Sequence, residues 1–247
     1  MTWKLLKGDC LDLMPYIPSA SVDMILTDLP YGITKNKWDI QIPLDKLWKE
    51  YNRIIKDNGP IVLMAGGLFT AELMISNKKM WRYNLVWQKR HPTNFLNAHK
   101  MPLRIHEDIC IFYKKPPVYY PQKINNCPPV HTYTKKSSDG SNYNKTKIGI
   151  SGGGSTSRFP TSIITFANDT QRSSLHPTQK PVKLFEYLIK TFSDQGDTIL
   201  DNCAGSGTTA EAAEKTGRNS ILIETNPLYC NRIFERMKNM CRKNRFE

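Results

Sequence analysis

Asp201-Asn202-Cys203-Ala204-Gly205-Ser206-Gly207-Thr208-Thr209-Ala210 is the stretch on which the fold turns. An apolar run, Thr198 to Leu200, reads as a strand before it. Thr208 to Thr216 reads as a helix after it, closed by Gly217. Gly205, Gly207 and Ala210 fit the pattern G-x-G-x-x-G/A. Glycines let the chain turn sharply and bring its backbone close to a ligand, and the N-terminus of the following helix favours a carboxylate or phosphate. The next strand, Ser220 to Ile223, runs into Glu224, at the spacing expected of a carboxylate that holds ribose hydroxyls. The turn alone specifies an adenosine-containing cofactor, and fits a dinucleotide as well as S-adenosylmethionine.

Strands and helices alternate through the rest of the chain. Strands are expected at Trp3–Gly8, Val22–Thr27, Pro60–Ala65, about Arg82–Gln88 and Asp108–Tyr113. Leu44 to Lys56 carries Leu44, Leu47, Trp48, Tyr51, Ile54 and Ile55 at helical spacing, and Pro181–Phe192 and Leu228–Met240 are further helices. This alternation argues for a layered α/β sheet. The 247 residues, 39% hydrophobic and 23% charged, suit one large domain or one domain with a sizeable insertion, and exclude a generally disordered chain. The longest apolar run, about Ile61 to Phe69, is too short to span a bilayer, and no charged-then-apolar leader opens the sequence. Six cysteines without a C-x-x-C pair read as free thiols in a reducing, cytoplasmic compartment, with no zinc site.

The strand Val22–Thr27 runs into Asp28-Leu29-Pro30-Tyr31-Gly32. On its own this is compatible with an ordinary turn. It gains chemistry if it faces the glycine turn across the C-terminal edge of one sheet, where open α/β sheets bind ligands. A carboxylate and a backbone carbonyl would then accept hydrogen bonds from an exocyclic amine, and a tyrosine would stack on the base that carries it.

Charge points to a polyanionic partner. Thirty-five Lys and Arg against 22 Asp and Glu leave +13. Between Lys78 and Lys147 there are fourteen cations and only Glu107, Asp108 and Asp139 as anions, so eleven of the thirteen excess charges lie there. Residues 116–175 are rich in loop chemistry, including Pro116-Pro117, Pro128-Pro129 and Ser151-Gly152-Gly153-Gly154-Ser155, with Tyr119, Tyr120, Tyr133, Tyr143 and Phe159 interleaved. Cations that reach phosphates beside rings that stack on bases suit a nucleic-acid surface; a solvated insertion without a ligand is the plainer alternative.

The ordered set of motifs resembles a family, the S-adenosylmethionine-dependent DNA amino-methyltransferases acting on adenine N6. It is similar to their permuted (β) group, in which the catalytic half precedes the cofactor half. Gly8-Asp9-Cys10 comes first, then Val22 through Gly32, Trp87-Gln88-Lys89 and His106-Glu107. Arg158-Phe159-Pro160-Thr161-Ser162 and His176-Pro177-Thr178-Gln179-Lys180-Pro181 follow, then Ile199 through Thr209, and last Glu224.

The resemblance implies a Rossmann-like methyltransferase fold, a mostly parallel seven-stranded sheet with helices on both faces and an irregular insertion. Residues 1–115 would be the catalytic half, 116–175 the target-recognition insertion and 176–247 the cofactor half. It implies S-adenosyl-L-methionine as cofactor and double-stranded DNA as partner, in a restriction-modification setting, with neither metal nor membrane. Permuted members often dimerise, and no feature of this sequence decides whether this chain does. Asp28 and the carbonyl of Leu29 would bind the target amine, with Pro30 between them and Tyr31, which would stack on the flipped base. Asp201, Asn202, Cys203, Ala204, Gly205, Ser206, Gly207, Thr208 and Thr209 would hold the cofactor's methionine end. Glu224, with Thr225 beside it, would hold the ribose, and Asp9, beside Cys10, the adenine; Asp28 and Lys180 would complete the set.

Two positions depart from the family pattern. Leu29 stands where a first proline is usual, and Asn202-Cys203 where Pro-Phe is usual. The same fold acting on cytosine N4 or RNA stays open, as does an inactive DNA-binding module. A nicotinamide-dependent oxidoreductase would leave Asp28 to Tyr31 and the basic segment unexplained.

Overall fold

A computed structural model describes residues 2–33, 36, 39–135, 148–168 and 179–243. The motif residues His176, Pro177 and Thr178 lie outside these, as do Lys136, Tyr143, Lys145 and Lys147 of the basic segment. In chain order the elements are β1 (Trp3–Lys7), α1 (Cys10–Leu13), β2 (Met24–Thr27), α2 (Leu44–Ile54), β3 (Ile61–Ala65), α3 (Leu68–Ser76), β4 (Trp81–Thr93) and β5 (Arg104–Phe112). After them come β6 (Tyr133–Thr134), β7 (Ser151–Gly152), β8 (Ile163–Phe166), α4 (Val182–Phe192), β9 (Thr198–Asp201), α5 (Thr208–Thr216), β10 (Asn219–Glu224) and α6 (Pro227–Lys243).

The chain divides into two compact units, residues 1–120 with 162–247, and residues 121–161. In the larger unit one sheet of eight strands runs β1-β10-β9-β2-β3-β5-β4-β8. Five of its seven neighbouring pairs are parallel; β5 alone runs against both its neighbours. The expected count of seven strands is corrected to eight by β8, which lies in the 116–175 segment read as irregular. β8 was illegible because only Ile164 of its four residues is buried, as befits an edge strand. α3 was hidden too: Ile61 to Phe69 reads as one apolar run, but Gly67 at φ 62° breaks it into a strand and a helix.

The central strands are apolar throughout because helices cover both faces. Every residue of β2 (Met-Ile-Leu-Thr) and β3 (Ile-Val-Leu-Met-Ala) is buried. Successive side chains point to opposite faces. Ile25, Ile61, Leu63, Cys110 and Leu200 therefore join Leu47, Trp48, Tyr51 and Ile54 of α2 and Phe69 of α3 in one core. Met24, Leu26, Val62, Met64, Ile109 and Ile199 join Leu184, Phe185, Leu188 and Phe192 of α4 in the other.

The smaller unit is an antiparallel ribbon. Ile124 bridges Arg158, Val130 N–H donates to the Ser155 carbonyl (2.9 Å), and Tyr133 pairs with Gly152. Lys123 Nζ lies 4.4 Å from the Phe159 ring centroid, and Tyr133 and Phe159 are exposed.

The seam between β2 and β9 joins the two halves of the large sheet, with Ile25 opposite Leu200 and both fully buried. Leu200→Ala should leave a cavity there and cost about 2–5 kcal/mol, read as a lower urea midpoint with an unchanged slope.

Candidate active site

β2 and β9 are parallel neighbours, so the segments leaving their C-terminal ends emerge side by side. That is a topological switch point, where the open sheet parts into a ligand crevice. Here the turn after β2, beginning at Asp28, meets the turn after β9. A cleft of about 740 Å³ opens between them, lined by Asp28, Leu29, Pro30 and Tyr31 on one side and by Asp201 to Ser206, Thr208, Glu224 and Thr225 on the other. Asp9 and Cys10, after β1, and Lys180, before α4, also line it.

Asp28 is clamped. Its Oδ2 lies 2.6 Å from Lys180 Nζ, and its Oδ1 accepts from Tyr31 Oη at 3.0 Å. Lys180 Nζ also lies 3.3 Å from Glu107 Oε2, and Glu107 Oε1 lies 2.5 Å from Lys89 Nζ. Carboxylate and ammonium thus alternate along a partly buried chain, Asp28–Lys180–Glu107–Lys89. Burial lifts the Asp28 carboxyl above its ordinary range, against the opposing pull of Lys180. Burial also opposes the charge on Lys180, but Asp28 and Glu107 outweigh it and hold the ammonium protonated. Glu107 is likewise desolvated, yet Lys180 and Lys89 bring its carboxyl below the usual range. Tyr31, pushed well up by burial and then by Asp28, stays a neutral phenol and donates to Asp28. Its ring stacks on Phe69 at 5.0 Å and 25°, and Gln41 Nε2 donates to its carbonyl at 3.0 Å. Asp39 accepts from the amides of Gly32 (2.8 Å) and Ile33 (3.0 Å), which fixes the turn's exit.

The glycine turn is braced from within. Asp201 Oδ1 accepts from Thr27 Oγ1 (2.8 Å) and the Cys203 amide (3.1 Å), and Oδ2 from Thr209 Oγ1 (2.5 Å). Asp201 therefore orders the turn. Burial still raises its carboxyl to about 6, against those three donors. Gly207 sits at φ 81°, and a Cβ there would lie 3.0 Å from Ile233 Cγ1, so α6 packs against the turn as closely as a glycine allows. Glu224 accepts from the amides of Gly205 (2.8 Å) and Asn226 (2.7 Å). Asp9 caps α1 by accepting from the Leu11 amide at 2.7 Å. Ser206 Oγ donates to Gln179 Oε1 at 3.1 Å, and Thr208 Oγ1 to the Lys180 carbonyl at 3.4 Å. The segment carrying Lys180 thus touches the glycine turn through its backbone and Asp28 through its ammonium.

The donor set fits an adenosyl amino acid. Glu224 has carboxylate lone pairs left for hydroxyls, the glycine turn admits backbone approach, and Asn168 Oδ1, on a cleft-lining residue, is a buried acceptor without a hydrogen-bond donor among the described residues. Among the described residues no group of three or more His, Cys, Asp or Glu side chains could hold a metal, and no helix is long and apolar enough to cross a membrane.

The profile of the DNA methylase family, which spans N6 and N4 enzymes, matches residues 22–235. The chain belongs to that family. Among curated relatives, the type II methyltransferase M.BglII of Bacillus subtilis is 28% identical over 244 residues, covering 87% of this chain and 63% of its own length. This chain therefore spans less than two thirds of that protein. The DNA adenine methyltransferase YhdJ of Escherichia coli K12 is 28% identical over 244 residues, covering 91% of this chain and 79% of its own. Among solved structures, the M1.HpyAVI–SAM complex superposes with a TM-score of 0.66 at 20% identity, covering 96% of this chain and 99% of its own. The cytosine-N4-specific PvuII DNA methyltransferase gives 0.69 at 16% identity, covering 94% and 86%. These two likenesses establish the methyltransferase fold, a mostly parallel sheet with helices on both faces.

Within this family member, sequence reasoning placed the two turns but not the contacts behind them. Lys180 and Asp28 are 152 positions apart, and no local pattern marks their pairing. Lys89 and Glu107 stood in the motif order without a role, and Asp39 and Gln41 carried no signal beyond residue type. Asp201 offers a direct check. Its carboxyl is raised in the fold, so its protonated form favours folding; that contribution is full below the unfolded value near 3.8 and is lost as pH rises through about 6. Wild type minus Asp201→Asn unfolding free energy should fall by about one proton's slope between those pH values and flatten above them, measured by urea titration across pH.

Proposed function

We propose that this chain is a site-specific DNA methyltransferase that moves a methyl group from S-adenosyl-L-methionine to the N6 amine of an adenine flipped out of duplex DNA. One observation carries the reading. The Asp28–Tyr31 turn and the glycine turn share one cleft, with Asp28 held by Lys180 on one oxygen and Tyr31 on the other. An acidic residue at position 28, together with the adenine relative named above, favours adenine over cytosine N4.

When bound, the cofactor supplies a methyl group on a positively charged sulfur, so transfer needs no covalent intermediate with the protein. The residues position and polarise. An exocyclic amine is a poor nucleophile because its lone pair is shared with the ring. Asp28 keeps carboxylate lone pairs beyond those used by Lys180 and Tyr31, and these accept one amine hydrogen. The Leu29 carbonyl accepts the other, which draws the nitrogen toward tetrahedral geometry. Tyr31, steadied by Phe69 and by its bond to Asp28, provides the stacking platform. Extruding the base costs a few kcal/mol, and stacking returns about 1–3 kcal/mol. Asp201 to Thr209 would cradle the methionine end, Glu224 and Thr225 the ribose, and Asp9 and Cys10 the adenine. Residues 1–115 and 176–247 would act as catalytic and cofactor halves, with the 116–175 segment reading the target sequence. The reading places the protein in the cytoplasm, where DNA and reduced thiols coexist.

The test is transfer of labelled methyl from S-adenosylmethionine to unmethylated genomic DNA, followed by nucleoside mass analysis. N6-methyladenine is expected; N4-methylcytosine would keep the mechanism and correct the base. Asp28→Ala should abolish transfer while cofactor binding survives, and retained turnover would remove Asp28 from the mechanism. Lys180→Met should cut kcat roughly 10²-fold, as misplacement of a reacting group does. It should also move the acid limb of kcat to higher pH, because the charge that restrains the raised Asp28 carboxyl is gone.

A further inference from the structure

β4 and β5 continue past the sheet as an arm. β3 last pairs with β5 at Ala65 and Asp108, and β8 with β4 at Phe166 and Lys89. Beyond these points β4 and β5 pair only with each other, Thr93 with Arg104, after a register irregularity between Gln88 and Thr93. The tip, residues 94–103, exposes Phe95 (75%), Leu96 (82%) and Met101 (54%). Its shape is nonetheless defined. Asn94 stands at φ 70°, Phe95–Asn97 forms a 3₁₀ turn, Asn97 Nδ2 donates to Asn94 Oδ1 at 2.6 Å, and the Met101 amide donates to the Asn97 carbonyl at 3.0 Å.

Charge decides what such a tip can meet. From Arg90 to His106 the arm holds Arg90, Lys100 and Arg104, all exposed, and no acidic residue. A preformed apolar tip between cations suits a partner whose surface is anionic and whose interior is apolar and reachable between the charges, which describes the base stack of a duplex between its phosphate strands. A second copy of this chain is a poorer match, since it brings +13 and the same acid-free arm. Position agrees with charge. Lys89, Thr93 and Arg104, at the arm's root, line the cleft that holds Asp28, so a duplex offering a base to Asp28 lies alongside the arm.

We propose that this arm is a flipping wedge: Phe95 and Leu96 enter the base stack beside the target nucleotide, while Arg90, Lys100 and Arg104 hold phosphates on either side. The proposal rests on the DNA-methylation reading. A base leaving the stack opens a gap, and an apolar side chain that fills it keeps the base from returning. Both side chains lie in water, so replacing them leaves the cores intact.

The test uses the double variant Phe95→Ser/Leu96→Ser and duplexes carrying the methylation site mapped on genomic DNA. On an intact duplex the variant should lose about tenfold or more in kcat/KM, the scale of one lost stacking contact. Most of that loss should vanish when the target base faces an abasic position, where little unstacking remains to be done. Arg90→Gln and Lys100→Gln should each reduce the slope of log affinity against log salt by about 0.9. Unchanged kcat/KM on the intact duplex would overturn the wedge, as would equal losses on both substrates. A shift from dimer to monomer in sedimentation that tracks the loss would overturn it too, making the tip an interface between copies. If wild type methylates no DNA, the functional reading has failed and binding alone judges the arm. Weakened duplex affinity in the variant would then support it, and unchanged affinity would overturn it.

Discussion

Thr27 Oγ1 donates 2.8 Å to Asp201 Oδ1 across the seam where β2 lies beside β9, and the site depends on that contact. Each residue is the last of its strand, so the bond ties two strand ends that are 174 positions apart in sequence. Asp201 uses its other oxygen on Thr209 and shares the first with the Cys203 amide, so one carboxylate sets both the course of the glycine turn and its distance from Asp28. A buried carboxyl with three donors is a fixed frame, because any turn that leaves one donor unpaired loses the full cost of desolvating it. The cleft's width follows from this bond as much as from the sheet.

The chain of ions behind Asp28 follows a different logic. Taking a charge out of water costs several kcal/mol per ion even after relaxation, and a hydrophobic replacement is often as stable. Four charges in a row, Asp28, Lys180, Glu107 and Lys89, are therefore a poor way to hold a sheet together. They are a good way to aim a carboxylate and to offset the burial that lifts it. Lys89 and Glu107 sit on β4 and β5, adjacent strands, while Lys180 comes from the segment leading into α4. Three separate parts of the chain thus build the row of charges that ends on Asp28. The charges along the row offset one another, and side-chain exposure at Asp28 is still 26%, so its carboxyl remains open to the cleft.

What could be read from sequence follows from how local each feature is. The glycine turn is a strand, a tight turn and a helix in one continuous stretch, with its acidic partner Glu224 at the end of the next strand, so periodicity and two glycines sufficed to place it. Asp28 to Tyr31 is equally compact, but its meaning needs β2 beside β9, a pairing that sequence alone makes plausible without dictating. Helices α2, α4 and α5 announced themselves because each buries one face. α3 did not, since Leu68 and Ile75 are apolar yet exposed and leave the helix without a polar side. β8 did not, since an edge strand buries too little to show alternation. Lys180's grip on Asp28 had no local trace, because nothing within a few residues of either side chain specifies the other.

The two departures from the family pattern find physical counterparts in the structure. Proline before the usual aromatic would fix the backbone of the turn through its ring. Asn202 instead accepts from Tyr51 Oη at 2.5 Å, and burial keeps that phenol protonated as a donor, so α2 supplies from outside the restraint a ring would supply from within. Leu29, in the other proline's place, is 3% exposed and packs in the core with Ile25 and Phe69, which anchors the Asp28–Tyr31 turn by burial. Cys203 has no such substitute. It lies against the same core as Cys10 and offers the cleft a thiol where an aromatic face would be. The restraints on geometry have been kept by other means, and contact area on one wall has not. Asn202 and Leu29 thus hold their turns through other contacts, and Cys203 is the position at which nothing replaces the ring.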